Sequence, residues 1–77
     1  MNLVIDIGNT VAKIAVFDES GIVEVVHDSN SALRYLEKVS KVYPVQKGIL
    51  STVIPLSGDA EDSLKQSGVP FLRFTCT

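Results

Sequence analysis

Apolar and polar residues alternate along the chain in a pattern that predicts five strands and two helices. Strands are predicted at Leu3–Ile7, Val11–Phe17, Ile22–His27, Gly48–Ile54 and Phe71–Thr75, each bounded by turn residues or proline. The first two runs are almost wholly apolar, which is typical of strands in the middle of a sheet.

Helical spacing appears in two segments between the later strands. In the first, Leu33, Leu36 and Val39 recur at helical intervals after the cap-forming residues 28–31, and Pro44 should end the helix. The second should begin at Ser57 or Gly58. Its first turn is acidic, with Asp59, Glu61 and Asp62, and Gly68 is expected as its C-cap.

The resulting order, β-β-β-α-β-α-β, predicts an α/β fold. Two antiparallel hairpins come first, and two strand–helix units that favour parallel pairing follow. We expect a five-stranded mixed sheet in the order 3-2-1-4-5 with helices packed on it. The first strand should be central because Leu3–Ile7 is apolar on both faces until Asp6.

Length and composition limit the chain to one small domain. It has 77 residues, of which 45% are hydrophobic and 21% charged, and its net charge is −2. This charge, without a cluster of basic residues, gives no reason to expect nucleic acid. The single cysteine fits a reducing compartment, and no apolar run is long enough to cross a membrane. No basic segment precedes the first strand, so we expect no signal peptide and a cytoplasmic location.

The turn after the first strand is the main candidate for chemistry. Gly8-Asn9 predicts a hairpin turn with positive φ, whose backbone N–H groups would face an anion such as phosphate. Asp6 could hold Mg²⁺ through water, with Thr10 adding a hydroxyl and Lys13 a cation. The residues alone leave an alternative open. The segment could be a plain turn in which Asp6 bonds to turn amides and Lys13 reaches solvent.

Two segments resemble a known family. The run Asp6-Ile7-Gly8-Asn9-Thr10-Val11-Ala12-Lys13 follows the pattern Asp-x-Gly-Asn-Thr-x-x-Lys and resembles type III pantothenate kinases, which belong to the acetate and sugar kinase superfamily with its actin-like (ribonuclease H-like) domains. The run Ile49–Pro55 is similar to an apolar-Ser-Ser/Thr-Val-Val/Ile-Pro segment of the same family. The resemblance implies an ATP-dependent kinase that phosphorylates pantothenate in the first step of coenzyme A synthesis. It also implies that residues 6–13 bind the phosphates of ATP, with Asp6 serving Mg²⁺.

The resemblance further implies that residues 1–77 are the first actin-like domain of a longer kinase. The family's second domain carries the Asp general base, a Gly-x-Asp-Arg substrate segment and a site for a monovalent cation (K⁺ or NH₄⁺). None of these has a counterpart here, so we expect no catalytic base and no turnover from this chain alone. A homodimer, or self-association through a strand edge or apolar helix face, is expected. The alternatives are a non-catalytic binding or regulatory module of the same fold and another small-molecule kinase of the superfamily.

The remaining polar residues are weaker candidates. Ser51 and Thr52 lie at the carboxyl end of a parallel strand, where ligands collect, but such hydroxyls more often bond the local backbone. His27 is interpreted as a surface or capping residue. Cys76 has no companion His and is not expected to be a nucleophile. The acidic residues 59–62 lack the spacing of a calcium site.

Overall fold

The computed structural model describes residues 1–29 and 33–75, which form a mixed sheet with two helices. The strands are β1 (Asn2–Ile7), β2 (Val11–Asp18), β3 (Gly21–Ser29), β4 (Lys47–Thr52) and β5 (Phe71–Thr75), and the helices are α1 (Arg34–Val42) and α2 (Gly58–Gln66). The sheet has five strands in the order β3-β2-β1-β4-β5, as predicted. β1 pairs antiparallel with β2 and parallel with β4, so it is central.

One side of the sheet, here called the closed face, is covered by both helices. On β1 the buried residues alternate as Leu3, Ile5 and Ile7, all fully inaccessible, in a core that also contains Leu36 of α1 and Leu64 of α2. Period-two alternation sends Val4 and Asp6 to the opposite side, where no described helix packs.

That opposite side, here called the open face, is mostly apolar. It carries the cross-strand neighbours Val4, Asp6, Lys13, Phe17, Val25, His27, Ile49, Ser51, Leu72 and Phe74. Leu72 and Phe74 on β5 are 61% and 55% exposed. Solvent-exposed apolar area of this kind commonly marks an interaction surface.

The helix ends combine predicted and unpredicted contacts. Ser57 caps α2 as expected, since its hydroxyl accepts a hydrogen bond from the Ala60 amide at 3.1 Å. Gly68 has φ +70 and directly follows the C-cap residue Ser67. The N-cap of α1 is Leu33, which has no capping side chain, and the carboxylate of Asp28 instead accepts from the Tyr35 amide at 2.5 Å. Of the predicted cap residues, 30 and 31 lie outside the described residues.

The ends of β3 and β4 each differ from the prediction by two residues, and the other strand ends agree to within one residue. β3 runs further, from Gly21 to Ser29. β4 ends at Thr52 rather than Ile54, because the Thr52 hydroxyl donates to the Ile54 carbonyl at 2.6 Å and accepts from the Ile54 amide at 3.3 Å. The last hydrogen bond toward β1 runs from the Val53 amide to the Ile7 carbonyl at 3.2 Å, and the local loop then satisfies the backbone of Ile54.

Gly48 lets β4 and β5 pack closely on the closed face. The residue is buried, and a Cβ at this position would lie 2.7 Å from Cδ1 of Phe71 and 3.0 Å from the carbonyl oxygen of Leu3. The Phe71 ring therefore occupies the space that a side chain on residue 48 would need. In the described part of the chain, neither helix has the length and apolar character needed to cross a membrane.

Candidate phosphate-binding site

The turn between β1 and β2 is built differently from the prediction. The Gly8 amide donates to the Val11 carbonyl at 3.0 Å, so Gly8 and Val11 close the hairpin and Asn9 and Thr10 form its tip. Neither Gly8 nor Asn9 has positive φ, and the predicted positive-φ turn is wrong. Gly8 flanks the tip, and its hydrogen-bonded position does not need left-handed backbone.

Gly8 leaves space for a side chain within the hairpin. A Cβ on Gly8 would lie 3.4 Å from the Val11 carbonyl oxygen, an ordinary contact. The Gly8 amide, which was expected to face an anion, donates within the hairpin instead. Any special need for glycine here therefore comes from what approaches the turn from outside, since the hairpin itself does not require it.

Asp6 and Lys13 face each other across β1 and β2 on the open face. They are direct cross-strand partners, which places their Cβ atoms about 5 Å apart. Both residues are exposed, and among the described residues neither side chain makes a hydrogen bond or an ion pair. The Asp6 carboxylate thus does not bond to turn amides, which removes the main observation that the plain-turn alternative predicts.

A second aspartate shows what a structural role looks like in this chain. Asp18, at the end of β2, accepts from the Ser20 amide at 2.7 Å and from the Ser20 hydroxyl at 3.0 Å. The hydrogen bond from the Ser20 amide has the larger effect and that from the Ser20 hydroxyl the smaller, and both lower the pKa of the Asp18 carboxyl below its ordinary value. Asp18 stabilises its turn, whereas Asp6 presents its charge to the outside.

The predicted site residues divide by face. Ile7 and Ala12 are fully buried on the closed face, so only their backbones can contact a ligand. Thr10 and Lys13 are exposed beside Asp6. The site therefore has a few exposed polar side chains held on a hairpin whose alternate residues are anchored in the core.

The register extends this site sideways along the open face. Ser51 of β4 lies beside Asp6, and His27 of β3 lies opposite Lys13. We call His27, Lys13, Asp6 and Ser51, which follow one another across four strands, the polar row. Thr52, in contrast, is buried and bonds to the local backbone, the more common role weighed from the sequence. The sequence alone predicts His27 as a surface or capping residue and does not place it beside Lys13.

Comparison with known proteins shows which proteins the chain is similar to. No family model matches the chain. A type III pantothenate kinase of Bacteroides fragilis is 53% identical over 72 residues, which is 94% of this chain and 30% of the relative. A relative with the same name from Phocaeicola vulgatus is 45% identical, over 92% of this chain and 28% of the relative. Another from Christiangramia forsetii is 42% identical, over 87% of this chain and 28% of the relative. This chain matches an N-terminal part of the type III pantothenate kinases. It spans about three tenths of the length of these curated relatives, and the resemblance inferred from residues 6–13 is confirmed.

The other predicted candidates for chemistry lie away from residues 6–13. Asp59 and Glu61 are in the first turn of α2, and Glu61 accepts from Arg73 at 2.8 and 3.1 Å, which lowers the pKa of the Glu61 carboxyl. Over residues 1–29 and 33–75, no group of three His, Cys, Asp or Glu side chains is placed to hold a metal. Asp6 would thus supply a single carboxylate. Mg²⁺ that is bound to nucleotide phosphates is often held by one or two protein carboxylates. Cys76 lies outside the described residues.

Two concavities lie elsewhere on the chain. One of about 610 Å³ is lined by Asn2, Asp18 and Lys47 at the amino end of β1 and β4. Another of about 580 Å³ is lined by Val4, Ile49, Leu72 and their neighbours. Neither includes residues 6–13, whose side chains Asp6, Thr10 and Lys13 are exposed.

Proposed function

We propose that this chain is the ATP-phosphate-binding N-terminal domain of a type III pantothenate kinase. In its complete form the kinase transfers a phosphoryl group from ATP to pantothenate and makes 4'-phosphopantothenate, the first step of coenzyme A synthesis. The observation that carries the proposal is the position of Asp6 and Lys13, which lie opposite each other on the open face. Both side chains are exposed, and neither makes a hydrogen bond or ion pair with a described residue. The names of the relatives supply the substrate.

The chemistry of the pair suits a metal-bound polyphosphate. A lysine binds phosphate as a point charge, and an aspartate that cannot bind phosphate itself can hold Mg²⁺ through water. Mg²⁺ held by Asp6 would neutralise negative charge that develops during phosphoryl transfer. Thr10 offers a hydroxyl at the tip of the same hairpin. The anchoring of Ile7 and Ala12 in the core holds these groups in fixed positions.

The proposal assigns the remaining parts of catalysis to the rest of the longer protein. A base for the pantothenate hydroxyl, the pantothenate site and a K⁺ or NH₄⁺ site would lie outside residues 1–77. The 77-residue chain alone should show no turnover in a coupled assay with ATP and pantothenate. Turnover by the purified chain that disappears in Asp6→Asn would contradict this division of labour.

Location and assembly complete the proposal. We place the kinase in the cytoplasm, in keeping with the single cysteine of the sequence.

We also expect this chain to associate with itself, because Leu72 and Phe74 on the edge strand β5 are exposed. Sedimentation equilibrium should show dimers or larger species, reduced in Leu72→Lys. A monomer throughout the high-micromolar range would count against self-association.

A lysine variant tests nucleotide binding directly. In the complete kinase, Lys13→Ala should raise the KM for ATP by about tenfold or more, since hydrogen bonds to charged groups contribute about 1.5–3 kcal/mol. Lys47→Ala is the matched control. Lys47 is also exposed on the open face, but it lies at the amino end of β4, away from the β1–β2 hairpin. Equal effects of the two variants would show that the hairpin has no special role in binding ATP.

A further inference from the structure

A β-bulge determines which face of the sheet His27 occupies. The register between β2 and β3 shifts between Val16 and Phe17. Continued without this shift from the Phe17–Ile22 pair, the ladder would place His27 opposite Ala12, whose side chain is on the closed face. The bulge instead pairs His27 with Lys13 and turns it to the open face. Bulges that redirect a side chain in this way are common beside active sites.

His27 is placed as an independent side chain beside Lys13. It is exposed, and among the described residues its imidazole makes no hydrogen bond or ion pair. The adjacent carboxylate, Asp28, points to the closed face, is 8% exposed and accepts from the Tyr35 amide. The nearest side chain that faces His27 across the strands is therefore a cation, and Asp6 lies one strand further.

His27 lies at one end of the polar row, on a face that is otherwise largely apolar. Its neighbour two positions earlier on the same face, Val25, is apolar, as are most open-face residues away from the polar row. Adjacent strands are about 4.8 Å apart, so the polar row covers about 14 Å across the sheet. An extended anion with several charged oxygens could contact Lys13 and His27 together while its metal is held at Asp6. Imidazole supplies an N–H donor suited to phosphate oxygen.

We propose that His27 is a further phosphate-binding residue, which contacts the polyphosphate of the nucleotide next to Lys13. The assignment rests on the proposed function, because it extends the same site from the β1–β2 hairpin to β3. His27 acts as a ligand for substrate oxygen, since its imidazole makes no hydrogen bond or ion pair with a described residue.

Steady-state kinetics of the complete kinase with Mg·ATP as the varied substrate test the assignment. His27→Ala should raise the KM for ATP by about tenfold, the loss expected for a hydrogen bond to a charged group. The Tm should remain that of the wild type, and His27→Lys should restore most of the affinity. Val25→Ala, on the same face of β3 and away from the row, should leave KM unchanged.

The outcomes separate this assignment from the proposed function. If His27→Ala leaves KM unchanged while Lys13→Ala raises it, the hairpin binds ATP and the role of His27 is refuted. If neither variant changes KM, both proposals fail. A rise in KM that comes only with a lower Tm and is not restored by His27→Lys would show a structural role and would also overturn the assignment.

Discussion

The two hairpin turns of this chain begin with similar residues and do opposite things. The β2–β3 turn, Asp18-Glu19-Ser20-Gly21, satisfies its aspartate internally through Ser20 and reverses at a glycine with φ +126. The β1–β2 turn also follows an aspartate and contains a glycine, yet the Asp6 carboxylate has no partner among the described residues. Gly8 lacks positive φ.

The difference teaches that an aspartate and a glycine near a turn do not by themselves define its role. Turn aspartates commonly accept from amides two residues on, and Asp18 does so. Asp6 lies within β1, and its neighbours Ile5 and Ile7 are fixed in the core, so its side chain is held away from the turn amides. One turn uses its polar groups for stability, and the other keeps them available for a ligand.

The stability loss expected at Gly48 is a reference against which the two turn glycines can be compared. Gly48→Ala should cause the largest loss of stability, about 1–3 kcal/mol, because the added methyl overlaps the Phe71 ring and approaches the Leu3 carbonyl. Urea denaturation of the 77-residue chain measures this loss. A variant as stable as the wild type would show that β5 can move away from β4 at no cost.

The turn glycines should then differ from each other. Gly21→Ala should cost about 1–2 kcal/mol, because its φ of +126 is unfavourable for a residue with a Cβ. Gly8→Ala should change the free energy of unfolding by no more than about 0.5 kcal/mol. Gly8→Ala should weaken only nucleotide binding, because it places a methyl where phosphate approaches. Equal losses of stability for both variants would erase the contrast between the turns.

Acid titration should show the smallest effect. Because hydrogen bonds from Ser20 lower the pKa of Asp18, its contribution to stability is present above the unfolded pKa of about 3.9 and is lost as the pH falls through the folded value. The Tm of Asp18→Asn should therefore decline less than that of the wild type between about pH 5 and pH 2. Asp6→Asn is the control, since its carboxylate accepts no hydrogen bond from a described residue. A profile for Asp18→Asn that parallels the wild type would contradict the structural role of Asp18.

Much of the fold could be predicted because its signals are local. Apolar runs, the Ser57 cap and Pro44 gave the elements, and strand direction followed from their order. The end of β4 could not be predicted, because it depends on the Thr52 hydroxyl taking over the hydrogen bonds of Ile54. The backbone of Gly8 was wrongly predicted, since the sequence does not show which pair closes the hairpin.

The site could be predicted only in part. Asp6, Thr10 and Lys13 were found from one short segment, whose two strands are joined directly. His27 could not be placed, because its face depends on the register shift opposite Val16 and Phe17, which leaves Val23 of β3 without a partner on β2 and which the sequence does not mark. The assignment of residues 6–13 to ATP phosphates stays a prediction.

The effect of Asp6→Asn on kcat and Tm in the complete kinase is the most direct test of the central claim, that Asp6 serves a ligand rather than the fold. We expect kcat to fall by about 10²–10³, equivalent to about 3–4 kcal/mol of lost transition-state stabilisation. The free energy of unfolding should change by only about 0–1 kcal/mol, as for a surface substitution. A variant with near-normal kcat and a clearly lowered Tm would contradict the claim and return the segment to a plain turn.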